Sequence, residues 1–127
     1  MIGLSHRVHL FAHPSVRVAL TEFFTSLFGC DAVAVPGAPV VAFRFADGAS
    51  VSVDFTADAP SPQQAGRGAW LEVTTDKADA LKQAVLAAGL PTVSYFTGRF
   101  YFVAPGGQVW GILDASQHDP NAPSAAR

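Results

Sequence analysis

Apolar residues recur along this chain with two periods, and the places where one period gives way to the other mark out the elements. Arg7 to Ala12 (RVHLFA) reads as a short strand, and His13-Pro14-Ser15 punctuates it. Val16, Leu20, Phe23, Phe24 and Leu27 then recur at three- and four-residue spacing, which predicts an amphipathic helix that Gly29 stops. Ala32 to Val35 is a weak strand. From Val40 to Ala46 the period is two, with Val41, Phe43 and Phe45 on one face and Ala42 and Arg44 on the other. Asp47-Gly48 is a hairpin turn signal, after which Val51, Val53 and Phe55 alternate with Ser52 and Asp54.

Thr56 to Gly68 (TADAPSPQQAGRG) breaks both periods and is expected to be a linker. The order then repeats. Ala69 to Thr74 is a strand. Asp76 is the expected N-cap of a helix carrying Leu81, Val85 and Ala88 and ending at Gly89. Thr92 to Phe96 is a strand, and Arg99 to Leu113 is a strand pair turned by Ala104-Pro105-Gly106-Gly107. Each half therefore reads strand, helix, strand, strand, strand. The expected fold class is α+β: two βαβββ modules forming a cup-shaped, mostly antiparallel sheet with helices on the outer face. Module one covers about residues 6–56, the linker 57–68 and module two 69–113; residues 114–127 are expected to be a flexible tail.

Composition narrows the function classes. The chain has 127 residues, half of them apolar and 14% charged, which suits one globular domain with a real core. A net charge of -2 gives no electrostatic case for nucleic acid or an anionic membrane. The single cysteine, Cys30, excludes an internal disulfide. No apolar run is long enough to span a bilayer, and MIGLSHRVHLF lacks a long apolar run behind a basic start, so a cytoplasmic location is expected. Phosphate-binding glycine loops, paired-cysteine metal motifs and HExxH or GxSxG motifs are absent from the sequence.

Four stretches, in their order and spacing, carry a family resemblance. They are the RVHLFA strand, the helix ending EFFTSLFG (Glu22 to Gly29), the Leu71-Glu72-Val73 strand before a helix ending Ala87-Ala88-Gly89, and Pro105-Gly106-Gly107-Gln108-Val109-Trp110. Together they resemble the vicinal oxygen chelate proteins, which include glyoxalase I, extradiol dioxygenases, bleomycin-resistance binding proteins and fosfomycin-resistance enzymes. The resemblance spans roughly residues 6–113 and implies paired βαβββ modules, usually assembled as a homodimer. In metal-using members it further implies a divalent ion held by His, Glu or Gln side chains from the first and last strands of each module.

Carried onto this chain, those ligand positions fall on His9, with His6 the other register, and on Ser52, Gly68 and Gly111. Only His9 is a good ligand, and a glycine side chain has nothing to donate. No cofactor and no intact metal site are therefore expected. Taking the family positions as cavity-facing, alternation adds candidate ligand-binding residues. His9, Phe11, Arg44, Ser52 and Asp54 come from module one, and Trp70, Glu72, Arg99 and Tyr101 from module two. Val41, Phe43, Phe45, Val51, Val53, Leu71, Val73, Phe100 and Phe102 are expected under the helices.

Structural roles compete at several of these positions. Arg44 and Asp54 are expected to pair across the Asp47-Gly48 hairpin, and Glu72 can pair with Arg99 in the same way. The leading expectation is a metal-free protein of the bleomycin-resistance type holding a small organic molecule in the cup. The alternatives are a metal-dependent lyase, isomerase or dioxygenase with His9 as ligand or base, and a degenerate module filled by its own side chains. Whether the chain is an enzyme stays open at this point.

Overall fold

The computed structural model describes residues 1–116; the expected tail from residue 117 onward, with His118, lies outside the described residues. Strands β1 (Arg7–Ala12), β2 (Asp31–Ala34), β3 (Val40–Arg44) and β4 (Ser50–Phe55) form one sheet in the order β1-β4-β3-β2. Strands β5 (Trp70–Thr75), β6 (Thr92–Val93), β7 (Phe100–Val103) and β8 (Val109–Asp114) form a second in the order β5-β8-β7-β6. In each sheet the first strand pairs parallel with the last, and the remaining pairs are antiparallel. The βαβββ order is thus present twice.

The first helix runs in three consecutive pieces. A 3₁₀ turn at Pro14–Val16, entered through a hydrogen bond from Ser15 N–H to His13 Nδ1, leads into α1 (Arg17–Glu22) and then a π-helical turn at Phe23–Leu27. A π turn brings residues five apart onto one face. Phe23 and Phe28 accordingly meet at 4.8 Å between ring centroids. Cys30 N–H closes the end on Phe24 C=O across Gly29, whose φ of 71° suits a residue without a Cβ.

This helix joins the two modules. Phe24 stacks on Phe43 of the first sheet at 4.5 Å and meets Trp110 of the second edge-on at 5.7 Å. Phe23 and Phe28 both reach Phe102 and Trp110. The result is one continuous core. All nine residues expected under the helices belong to it, with Val41, Phe43, Val51, Val53 and Phe102 buried and Phe45, Leu71, Val73 and Phe100 packed against them.

Several expectations need correcting. The linker contains a helix, α2 (Pro62–Gly68), started by a reciprocal cap. Ser61 Oγ accepts from Gln64 N–H, and Gln64 Oε1 accepts from Ser61 N–H. Asp76 is not the cap of α3 (Ala78–Ala87): Lys77 holds that position, and its N–H donates to Thr75 Oγ1. The strand expected over Thr92 to Phe96 stops at Val93, and the one expected to end at Leu113 continues to Asp114. None of the described helices is long and apolar enough to cross a membrane.

Candidate functional site

Each sheet has one face on the shared core and one face turned away from it, and the nine candidate residues all fall on or beside the second kind of face. On the first sheet the register sets His9 beside Ser52 and Ala42, and Phe11 beside Asp54 and Val40. This face is open. His9 is exposed and Phe11 retains 58% of its accessible surface.

Arg44 and Asp54 do not pair. The hairpin register sets Arg44 opposite Ser50 and Asp54 opposite Val40, at opposite ends of the strand pair. The reason is local: Phe45 and Ala49 close the turn through Phe45 N–H to Ala49 C=O, which fixes every pairing beyond it. Arg44 is left exposed, while Asp54 Oδ1 is buried without a hydrogen-bond partner.

The second sheet is arranged differently. Glu72, Gly111 and Tyr101 form one cross-strand row. The Tyr101 ring lies over Gly111, so close that a Cβ on residue 111 would sit 2.8 Å from Tyr101 Cε1. Tyr101 is 1% exposed although it points away from the main core. Trp70 and Tyr95 cover it edge-on at 5.0 and 4.8 Å, and its hydroxyl shares a 3.0 Å hydrogen bond with Thr97 Oγ1. Arg99 Nη1 donates to Glu72 Oε2 at 3.3 Å, so this pairing of the two does form. Tyr95, expected within a strand, and Thr97, just beyond that strand's expected end, both lie in the loop after β6, where no periodicity singles them out.

Three cavities include one or more of the candidate residues. One of about 240 Å³ lies between β1, α2 and the turn into β8, and takes in His9, Phe11, Gln64, Gly68, Gln108 and Trp110. A shallow one of about 570 Å³ takes in Phe11, Asp54, Thr56 and Asp58. A third, of about 300 Å³ between the start of β1 and β5, includes Glu72 and is lined mainly from the core side by Val8, Val51, Leu71 and Val73. Arg44, Ser52, Trp70, Arg99 and Tyr101 line none of these three.

The metal-ligand positions implied by the resemblance hold few donors. His9 stands beside Ser52, Gly68 brings no side chain, and the space over Gly111 holds a phenol ring instead of a carboxylate. Among the described residues no three His, Cys, Asp or Glu side chains gather at one point. The donor set is one imidazole and one hydroxyl, which does not suit a hard divalent ion.

Cys30 is no nucleophile. It is buried, and burial, reinforced by the neighbouring Asp31 carboxylate, pushes its thiol from 9.0 to about 11. Two outcomes follow. The folded chain should react with a thiol reagent at pH 8 far more slowly than the denatured chain. Stability should also fall as pH rises from 9.0 to about 11, because only the unfolded thiol ionises across that window. Replacing Cys30 with alanine and repeating the pH titration of the unfolding midpoint checks the second outcome: the fall should shrink.

No protein-family model matches the chain, and no curated protein matches it by sequence. Solved structures do match. A possible glyoxalase from Bacillus cereus superposes with a TM-score of 0.68 at 18% identity, covering 89% of this chain and 99% of that one. A proposed glyoxalase-family protein from Bacillus anthracis gives 0.72 at 16% identity, covering 90% and 96%. The fosfomycin resistance protein FosX from Listeria monocytogenes gives 0.67 at 13% identity, covering 91% and 95%. At such identities the likeness speaks for architecture alone: the chain shares the paired βαβββ fold of these structures.

Proposed function

We propose that this protein is a metal-free small-molecule-binding protein of the bleomycin-resistance type. The observation that carries this reading is the Tyr101 ring over Gly111, which takes up the space a metal-ligating side chain would need. With that face of the second sheet filled, the ligand seat falls on the open face of the first. There Phe11 offers an exposed aromatic surface, and His9 lies on the same strand two residues away. Asp54 is the polar anchor. Its carboxylate lines the shallow cavity beside Phe11, where a ligand N–H or O–H can meet it. The ligand class is thus a partly aromatic molecule with a hydrogen-bond donor. FosX is named for fosfomycin resistance, and a resistance role by sequestration fits this reading of the chain.

The protein is also read as a cytoplasmic homodimer. Homodimer assembly is what the family resemblance implies, and sedimentation equilibrium measures it directly.

A thermal-shift screen against glycopeptide antibiotics and aromatic amines tests the function. A true ligand at a hundred times its Kd should stabilise the fold by about 2.7 kcal/mol, and Phe11→Ala and Asp54→Asn should each remove most of that shift. Silence across the library, or hits indifferent to both variants, contradicts the proposal.

A further inference from the structure

The 240 Å³ cavity takes residues from both faces of β1: Leu10 and Ala12 from the core side, His9 and Phe11 from the open side. A cavity lined by both faces of one strand must pass around a free edge. β1 has one, because it ends its sheet and pairs only with β4. The cavity therefore connects the open face of the first sheet to the interior. Its inner wall is core: Leu20, Phe24 and Trp110 line it, and all three are buried.

Three of the lining side chains are polar. Gln64 and Gln108 are each engaged at one end of the amide, Gln64 Oε1 by Ser61 N–H and Gln108 Nε2 by Ala69 C=O and Val109 C=O. His9 is exposed. Every other lining residue is apolar or a glycine. Ala65 and Gly68 of α2 form one side. That helix rests on the β7–β8 turn with no side chain between them, since a Cβ on Gly66 would sit 3.2 Å from Gly107 C=O.

Phe11 and Pro60 also line the shallow cavity that includes Asp54, so the two cavities adjoin. The inner one is smaller than a usual ligand pocket and suits part of a molecule better than a whole one.

We infer that the inner cavity takes the apolar tail of a ligand whose N–H or O–H donor meets Asp54, the molecule bending around Phe11. The inference rests on the ligand seat proposed above and narrows its ligand class to a donor head, such as a primary amine, on a compact alkyl or aryl tail.

Butylamine and hexylamine are the probes, titrated by isothermal calorimetry. Affinity should rise about fourfold per added carbon, as for a methylene leaving water. Ala65→Leu, which fills the cavity from α2 with a good helix former, should cancel most of that gain. Asp54→Asn should weaken both amines by a similar factor and leave the gain in place. A readout of position needs no cavity-filling variant. In Trp70→Phe the one remaining tryptophan is Trp110, and 6-bromohexylamine should quench its fluorescence to saturation where hexylamine does not. Equal affinities for the two amines, a gain that survives Ala65→Leu, or no saturable quenching overturns the inference, and the seat at Asp54 stands so long as Asp54→Asn still weakens binding. Binding indifferent to Asp54→Asn, or no binding by either amine, overturns the seat and the inference together.

Discussion

Replacing Phe24 with alanine should lower stability by about 3–5 kcal/mol, a large part of what holds a domain of this size together. Phe24 is fully buried and stacked on Phe43, with Phe23, Phe28 and Trp110 against its other sides. It belongs to module one yet touches module two, so its loss opens a cavity where the halves are joined. Urea denaturation is the check. A drop in the midpoint at unchanged slope is the expected form, showing one cooperative unit before and after. A second transition appearing in the variant would mean that the modules fold separately, and a loss below about 1 kcal/mol would mean that the site collapses around the gap.

Gly107→Ala should cost about 2–4 kcal/mol, from two causes that act together. The residue has φ of 99°, in the left-handed region that side chains resist. A Cβ there would also overlap the carbonyl of Pro62, which is backbone at the first turn of α2 and cannot swing aside. Gly106 has φ of 93° in the same turn, but its Cβ would meet only Val16 and Ala12 side chains at 3.6 Å or beyond. Gly106→Ala should therefore cost about 1–2 kcal/mol, the backbone share alone. Comparing the two variants by denaturation separates the causes. Equal losses would mean that α2 yields and that its docking on the β7–β8 turn contributes little.

The alternation of apolar residues made most of the fold legible. Val41, Phe43, Val51 and Val53 are buried because period-two spacing leaves one face of a strand no choice once helices cover the sheet. Turn chemistry was legible for the same kind of reason: Gly48, Gly106 and Gly107 all have positive φ. The capping of α2 was also readable in principle, since Ser61-Pro62 followed by Gln64 is a helix start, but the glycines and prolines around it read as linker.

Register and loop geometry were not legible. The Arg44–Asp54 pairing failed because two residues on neighbouring strands face each other only if the turn length permits it. Glu72 and Arg99 met despite lying outside any strict pairing, because both side chains are long. Gly111 was recognisable as a vacancy, and Tyr101 as a residue on the same face. That one fills the other's space depends on the β7–β8 register and on Tyr95 and Thr97 in a loop no periodicity describes.

The central claim is that this fold binds its ligand without a metal, because Tyr101 stands where a fourth ligand would. Metal analysis of the purified protein after dialysis tests it most directly. The expected result is Mn, Fe, Ni and Zn each far below one equivalent, with no thermal stabilisation when any of them is added back. One equivalent of any of these metals retained per chain, and lost on replacing His9 with alanine, would contradict the account and favour the metal-dependent lyase, isomerase or dioxygenase reading.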